Sequence, residues 1–111
     1  MLKIIQNARK PFSINLSSEK NDDLPLDLTG NVEITVCFKT VSTLATLTKT
    51  GGRITVDNLV LGQISGALTQ AETDVMPIEN NGLIEIQVDF GSGDVQKTQI
   101  LNGFVVAAKA C

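Results

Sequence analysis

A chain of 111 residues, 42% apolar and 19% charged, has the size and composition of one folded domain and not of a disordered segment. Histidine, tryptophan and tyrosine are absent, the net charge is −3, and the nine Lys and Arg residues are scattered. These facts exclude the commonest general base, the usual neutral nitrogen metal ligand, and the basic stripe with stacking aromatics that nucleic acid requires.

In chain order, Leu2–Gln6 reads as a short strand and Asn7–Lys10 as a turn. Pro11 opens a second strand in which Phe12, Ile14 and Leu16 alternate with Ser13, Asn15 and Ser17. Period-two alternation marks a strand with one buried face, and a proline at its start suits a position that donates nothing to the ladder. Ser17–Leu24 is polar and reads as a loop, followed by Pro25 and a corner at Gly30. Val32–Lys39 alternates most clearly, with Val32, Ile34, Val36 and Phe38 on one face. Thr43–Thr48 and Arg53–Val56 follow as strands, with turns at Thr50-Gly51-Gly52 and Asp57-Asn58. Gln63–Leu68 is the next strand, and Gly66 inside it marks a bulge or a close approach.

Thr69 and Glu72 form a capping box, which predicts a helical turn over Thr69–Asp74 that ends by Pro77. Leu83–Phe90 alternates with Ile84, Ile86, Val88 and Phe90 inward. Gly91-Ser92-Gly93-Asp94 reads as a hairpin loop and Val95–Leu101 as its returning strand. Asn102-Gly103 reads as a further turn and Phe104–Lys109 as the last strand; Phe104–Ala108, apolar on both faces, is expected to be central in its sheet, the alternative being that a partner covers it. Short, evenly spaced strands with one helical turn predict a single β-sandwich domain over residues 1–111. It would have seven or eight mostly antiparallel strands around Phe12, Ile14, Val32, Ile34, Val36, Phe38, Ile84, Ile86, Val88 and Phe90.

No residue pattern selects a reaction. Gly91-Ser92-Gly93 lacks the Gly-Lys-Ser/Thr of a phosphate loop. Asp57, Asp89 and Asp94, or Asp22, Asp23 and Asp27, match no calcium-loop spacing. Cys37 and Cys111 are too few for structural zinc and are expected as free thiols. Serine and cysteine nucleophiles lack a histidine partner. We therefore expect no catalytic residue, no cofactor and no metal. The N-terminus carries no apolar run of signal-peptide length, and the longest such run, Phe104–Ala108, is too short to span a membrane. The expectation is synthesis in a cytoplasm, with neither membrane nor nucleic acid as partner.

Several phrases read together carry a resemblance. They are Asp27-Leu28-Thr29-Gly30, Leu68-Thr69-Gln70-Ala71-Glu72-Thr73 with Pro77 and Gly82, Ile86–Phe90, Gly93-Asp94-Val95, Thr98 and Gly103–Val106. The second is the most specific, because it joins a capping box to the end of a strand. Together they resemble the small immunoglobulin-like β-sandwich proteins of tailed bacteriophages, and are similar to the N-terminal domain of phage baseplate upper proteins. The resemblance implies an immunoglobulin-like sandwich without catalytic residues, made in the host cytoplasm and located in the virion. It implies a structural subunit present in multiple copies, in contact with other virion proteins. Baseplate upper proteins continue into a fibre or receptor-binding module, whereas this sequence stops at Cys111. An adaptor subunit of the tail or baseplate is therefore the first expectation. A capsid decoration protein is the alternative, and a carbohydrate- or receptor-binding module is a third, disfavoured by the scarcity of aromatic platforms.

The expected contact surface lies at the chain's two ends. Leu2–Ile5 is short and apolar on both faces with Lys3 between, and Phe104–Ala108 is likewise apolar on both faces. Leu2, Ile4, Ile5, Phe104 and Val106 are the candidate interface residues, engaging a partner by strand addition; the alternative is that Leu2–Ile5 pairs within its own sheet.

Overall fold

Alternation becomes architecture most plainly in β3 (Glu33–Lys39), where Ile34, Val36 and Phe38 are sealed from solvent and the residues between them are half-buried. The computed structural model describes residues 2–17 and 24–108. Besides β3 it contains β1 (Leu2–Ile5), β2 (Lys10–Asn15), β4 (Thr43–Thr48), β5 (Ile54–Asn58) and β6 (Gln63–Leu68). The helical turn α1 (Gln70–Asp74) precedes the two long strands β7 (Glu79–Asp89) and β8 (Val95–Ala107). The strands form a five-stranded sheet in the order β1-β8-β7-β3-β4 and a three-stranded sheet in the order β2-β6-β5. Every pairing is antiparallel except that of β1 with β8, which is parallel.

This order is that of an immunoglobulin-like sandwich. The second, sixth and fifth strands make one sheet, and the last two strands join the third and fourth in the other. A short first strand lies beside the last. The register places Ile34 opposite Val88, Val36 opposite Ile86 and Phe38 opposite Ile84, so two alternating faces coincide and point at the same core. Three of the four phenylalanines run through that core in contact. The ring centroids of Phe12 and Phe38 are 5.3 Å apart at 68°, and those of Phe38 and Phe104 are 5.5 Å apart at 58°. Edge-on and tilted ring contacts of this kind link the two sheets through Phe12 of β2, Phe38 of β3 and Phe104 of β8.

Several expectations are corrected. Val32 is 55% exposed: it precedes β3, which begins only at Glu33, although its N–H still donates to the Asp89 carbonyl of β7 at 2.7 Å. Asn102-Gly103 is not a turn: β8 runs through it, and the register with β7 shifts there, between the pairs Ile84–Ile100 and Gly82–Phe104. Asp57-Asn58 belongs to β5, and the reversal falls after it, on residues 59–62. Ile14 and Phe90 are only partly buried, while Ile4, Leu28, Leu47, Met76, Phe104 and Val106 join the core. Gly66 is a close approach, since a Cβ there would stand 2.7 Å from the Arg53 carbonyl oxygen. Residues 18–23, including Asp22 and Asp23, and Cys111 lie outside the described residues.

The capping box forms as read. The Thr69 N–H donates to Glu72 Oε1 at 2.8 Å, and the Glu72 N–H donates to Thr69 Oγ1 at 3.1 Å. Arg53, 19 residues away, adds what local sequence does not show. Its guanidinium donates to Glu72 Oε1 at 2.6 Å, to Glu72 Oε2 at 3.3 Å and to the Ala67 carbonyl at 2.9 Å. Burial alone would raise the Glu72 carboxyl, but the Arg53 and Thr69 hydrogen bonds outweigh it and hold the group below its ordinary 4.5. A carboxyl lowered on folding stabilises the fold fully above its unfolded value and loses that contribution as pH falls through the folded one. Glu72→Gln keeps an amide able to cap but removes the charge. It should cost roughly 1 kcal/mol at neutral pH and flatten the acid limb of a stability–pH curve below about 4.5. Chemical denaturation from pH 7 to pH 3 reads this out.

Candidate functional site

The molecule is elongated, 46 × 26 × 22 Å, and its long axis matches the about 43 Å expected of the 13 residues of β8. At one pole, backbone hydrogen bonds knit three connections together. The Leu16 N–H donates to the Gly62 carbonyl at 2.9 Å, Leu28 to Leu59 at 2.8 Å, and Val32 to Asp89 at 2.7 Å. The connection between β2 and β3 is thereby fastened to the β5–β6 turn and to the end of β7.

That turn carries Leu59, Val60 and Leu61, all exposed, with Val60 at 59%. Its geometry is fixed from within. The Leu61 N–H donates to Asn58 Oδ1 at 3.0 Å, and Gly62 holds φ +66° with the Leu26 carbonyl oxygen 2.4 Å from where a Cβ would stand. Only glycine meets both conditions without strain. The turn cannot fold its apolar side chains inward, so it presents them. Leu24, Val32 and Val95 are exposed at the same pole. Beside them, the Thr29 hydroxyl and N–H donate to Asp27 Oδ1 at 2.6 and 2.9 Å and lower its carboxyl. At the opposite pole Val41, Val75 and Ile78 are exposed, on the β3–β4 turn and on the segment after α1. Isolated exposed apolar residues are ordinary, but three consecutive ones on a rigid tip mark a surface suited to contact.

The residues expected at an interface lie elsewhere. β1 pairs inside its own sheet, with Leu2 opposite Phe104 and Ile4 opposite Val106. Ile4 and Phe104 are 0% exposed and Val106 is 2% exposed, so in the folded chain these three side chains serve the core. Leu2 and Ile5 are half-buried. What β1 still offers a neighbour is the backbone of a sheet edge. The apolar tip at Leu59–Leu61 escapes sequence reading because an apolar triplet looks like the end of a strand until its turn is placed.

Among the described residues no group of three or more His, Cys, Asp and Glu is placed to hold a metal. Cys37 is half-buried on the outward side of β3, with its sulfur 3.8 Å from Thr46 Oγ1. No described helix is long and apolar enough to cross a membrane. No protein-family model matches the chain, and no curated protein does. Among solved structures the chain is similar to murine CRIg, at 12% identity and a TM-score of 0.43, over 98% of this chain and 92% of that one.

Proposed function

We propose that this chain is a non-enzymatic structural protein of a bacteriophage virion, a tail or baseplate adaptor subunit. The observation that carries the contact role is the rigid turn holding Leu59, Val60 and Leu61 in solvent at one pole of an elongated sandwich. Exposed apolar surface held in place is costly to keep wet and is relieved by a protein neighbour. A small domain with apolar residues at both poles suits a repeated position in a symmetric particle, where one patch is used many times. The phage assignment itself draws on the phrases from Asp27 to Val106 that resemble phage sandwich proteins.

Mass spectrometry of phage tails purified away from heads tests the location. Enrichment in tails is the expected result. Enrichment in heads would make the chain a decoration protein, and absence from both fractions would remove the virion role. Val60→Asp tests the surface. Its stability should stay within about 0.5 kcal/mol of the parent, as for most exposed substitutions, while its incorporation into particles falls. Unchanged incorporation would remove the turn from the contact.

A further inference from the structure

We infer that β1 is an exchangeable strand: in a dimer of this chain, β1 of each copy docks on β8 of the other in the register it uses within its own chain. β1 is the edge strand of the five-stranded sheet and pairs with β8 alone. Its anchor is Ile4, 0% exposed and opposite Val106. A second copy presents the same β8 and the same core, so every one of these contacts is available in trans at no loss.

The deciding element is the connection between β1 and β2. Asn7 sits at φ +62°, the left-handed region, which asparagine tolerates better than other residues with a side chain but does not prefer. On its far side the chain is tied to its own body. The Ala8 N–H donates to Thr73 Oγ1 at 3.0 Å, and the Thr73 hydroxyl, fully buried, donates to the Ala8 carbonyl at 2.8 Å. On its near side the ties travel with β1. The Gln6 N–H donates to the Ala107 carbonyl at 3.0 Å and Gln6 Nε2 to the Met76 carbonyl at 2.7 Å, both groups that a second copy offers equally. Asn7 is thus the pivot. Opening it to an extended conformation swings β1 outward at the loss of the Gln70 Nε2 to Asn7 Oδ1 bond of 3.0 Å. A short connection held in a disfavoured conformation favours such exchange. The five residues Leu2, Ile4, Ile5, Phe104 and Val106 then play both parts, a core pairing in the monomer and an intersubunit pairing in the dimer. The inference is independent of the proposed virion role.

Lys3 and Val105 are register partners on the outward side of the sheet, which allows a covalent test. Lys3→Cys and Val105→Cys are introduced together with Cys37→Ser and Cys111→Ser, and the full chain is refolded at low and high concentration. Non-reducing electrophoresis and size-exclusion chromatography should show intrachain bridges when dilute and interchain bridges when concentrated. Asn7→Gly, which favours the closed pivot, should suppress the interchain product. Asn7→Val, which cannot hold the left-handed region comfortably, should raise it about tenfold for each of the two hinges. Intrachain bridging at every concentration would overturn the inference, as would an interchain product indifferent to residue 7. If the valine variant does not fold, the asparagine and glycine chains decide the matter between them.

Discussion

Ile86→Asp should leave no folded protein at room temperature. Ile86 is 1% exposed at the centre of β7, opposite Val36 in β3 and Thr98 in β8, on the face that looks at the three-stranded sheet. None of the buried apolar residues of this core can pair with a carboxylate, and Thr73, the buried polar residue among those described, is committed to Ala8. Burying a charge without a partner costs more than the several kcal/mol of an unpaired polar group, against a total stability of about 5–15 kcal/mol for ordinary domains. Far-ultraviolet circular dichroism of the soluble fraction is the measurement. Gln87→Asp, one residue along on the outward face, is the control and should fold. A soluble Ile86→Asp chain with unchanged melting would mean that β7 faces the other way.

Gly82→Ala should destabilise the fold by about 3 kcal/mol, the upper part of the range for overpacking a filled core. Gly82 is the register partner of Phe104, and the phenylalanine ring lies over it. A Cβ at Gly82 would stand 2.4 Å from Cζ and 2.5 Å from both Cε atoms of that ring. The ring has little freedom to retreat, because it is 0% exposed and packed against Phe38, which in turn meets Phe12. A chain of this size loses about 4–8 °C of melting temperature per kcal/mol, so the change is large in a thermal scan. Phe104→Leu made in the same chain should recover part of the loss, since a smaller side chain makes room for the methyl. The two substitutions would then cost less together than the sum of each alone. Strict additivity would place the ring away from Gly82.

Where strands lie was readable because alternation is a property of consecutive residues. Ile34, Val36 and Phe38 announce a buried face within seven residues. The capping box is readable for the same reason, since Thr69 and Glu72 are three apart. What is not readable depends on partners distant in sequence. Arg53 carries no local sign of its clamp on Glu72. Val32 has the right character and the right parity, yet it lies one residue before β3 and its side chain stays exposed, which alternation alone does not show. Asn102-Gly103 has turn chemistry, yet it falls at a register shift inside the β7–β8 pairing and not at a reversal. β1 looks like a contact strand because it is apolar on both faces, and whether that surface meets a partner or its own β8 depends on sheet order. The apolar tip at Leu59–Leu61 is the reverse case, visible as a triplet and assignable as a surface only once Gly62 and Leu26 are seen to lock the turn.

The parallel pairing of β1 with β8 has a mechanical consequence. Leu2 lies beside Phe104 and Ile5 beside Ala107, so the first and last strands point the same way. Tension applied by drawing the start of β1 and the end of β8 apart runs along the strands in opposite directions. The hydrogen bonds between them are then loaded together in shear, where an antiparallel pair pulled open from one end would release them one after another. A joint of this kind yields late and all at once, so the sandwich resists being drawn open by its two terminal strands.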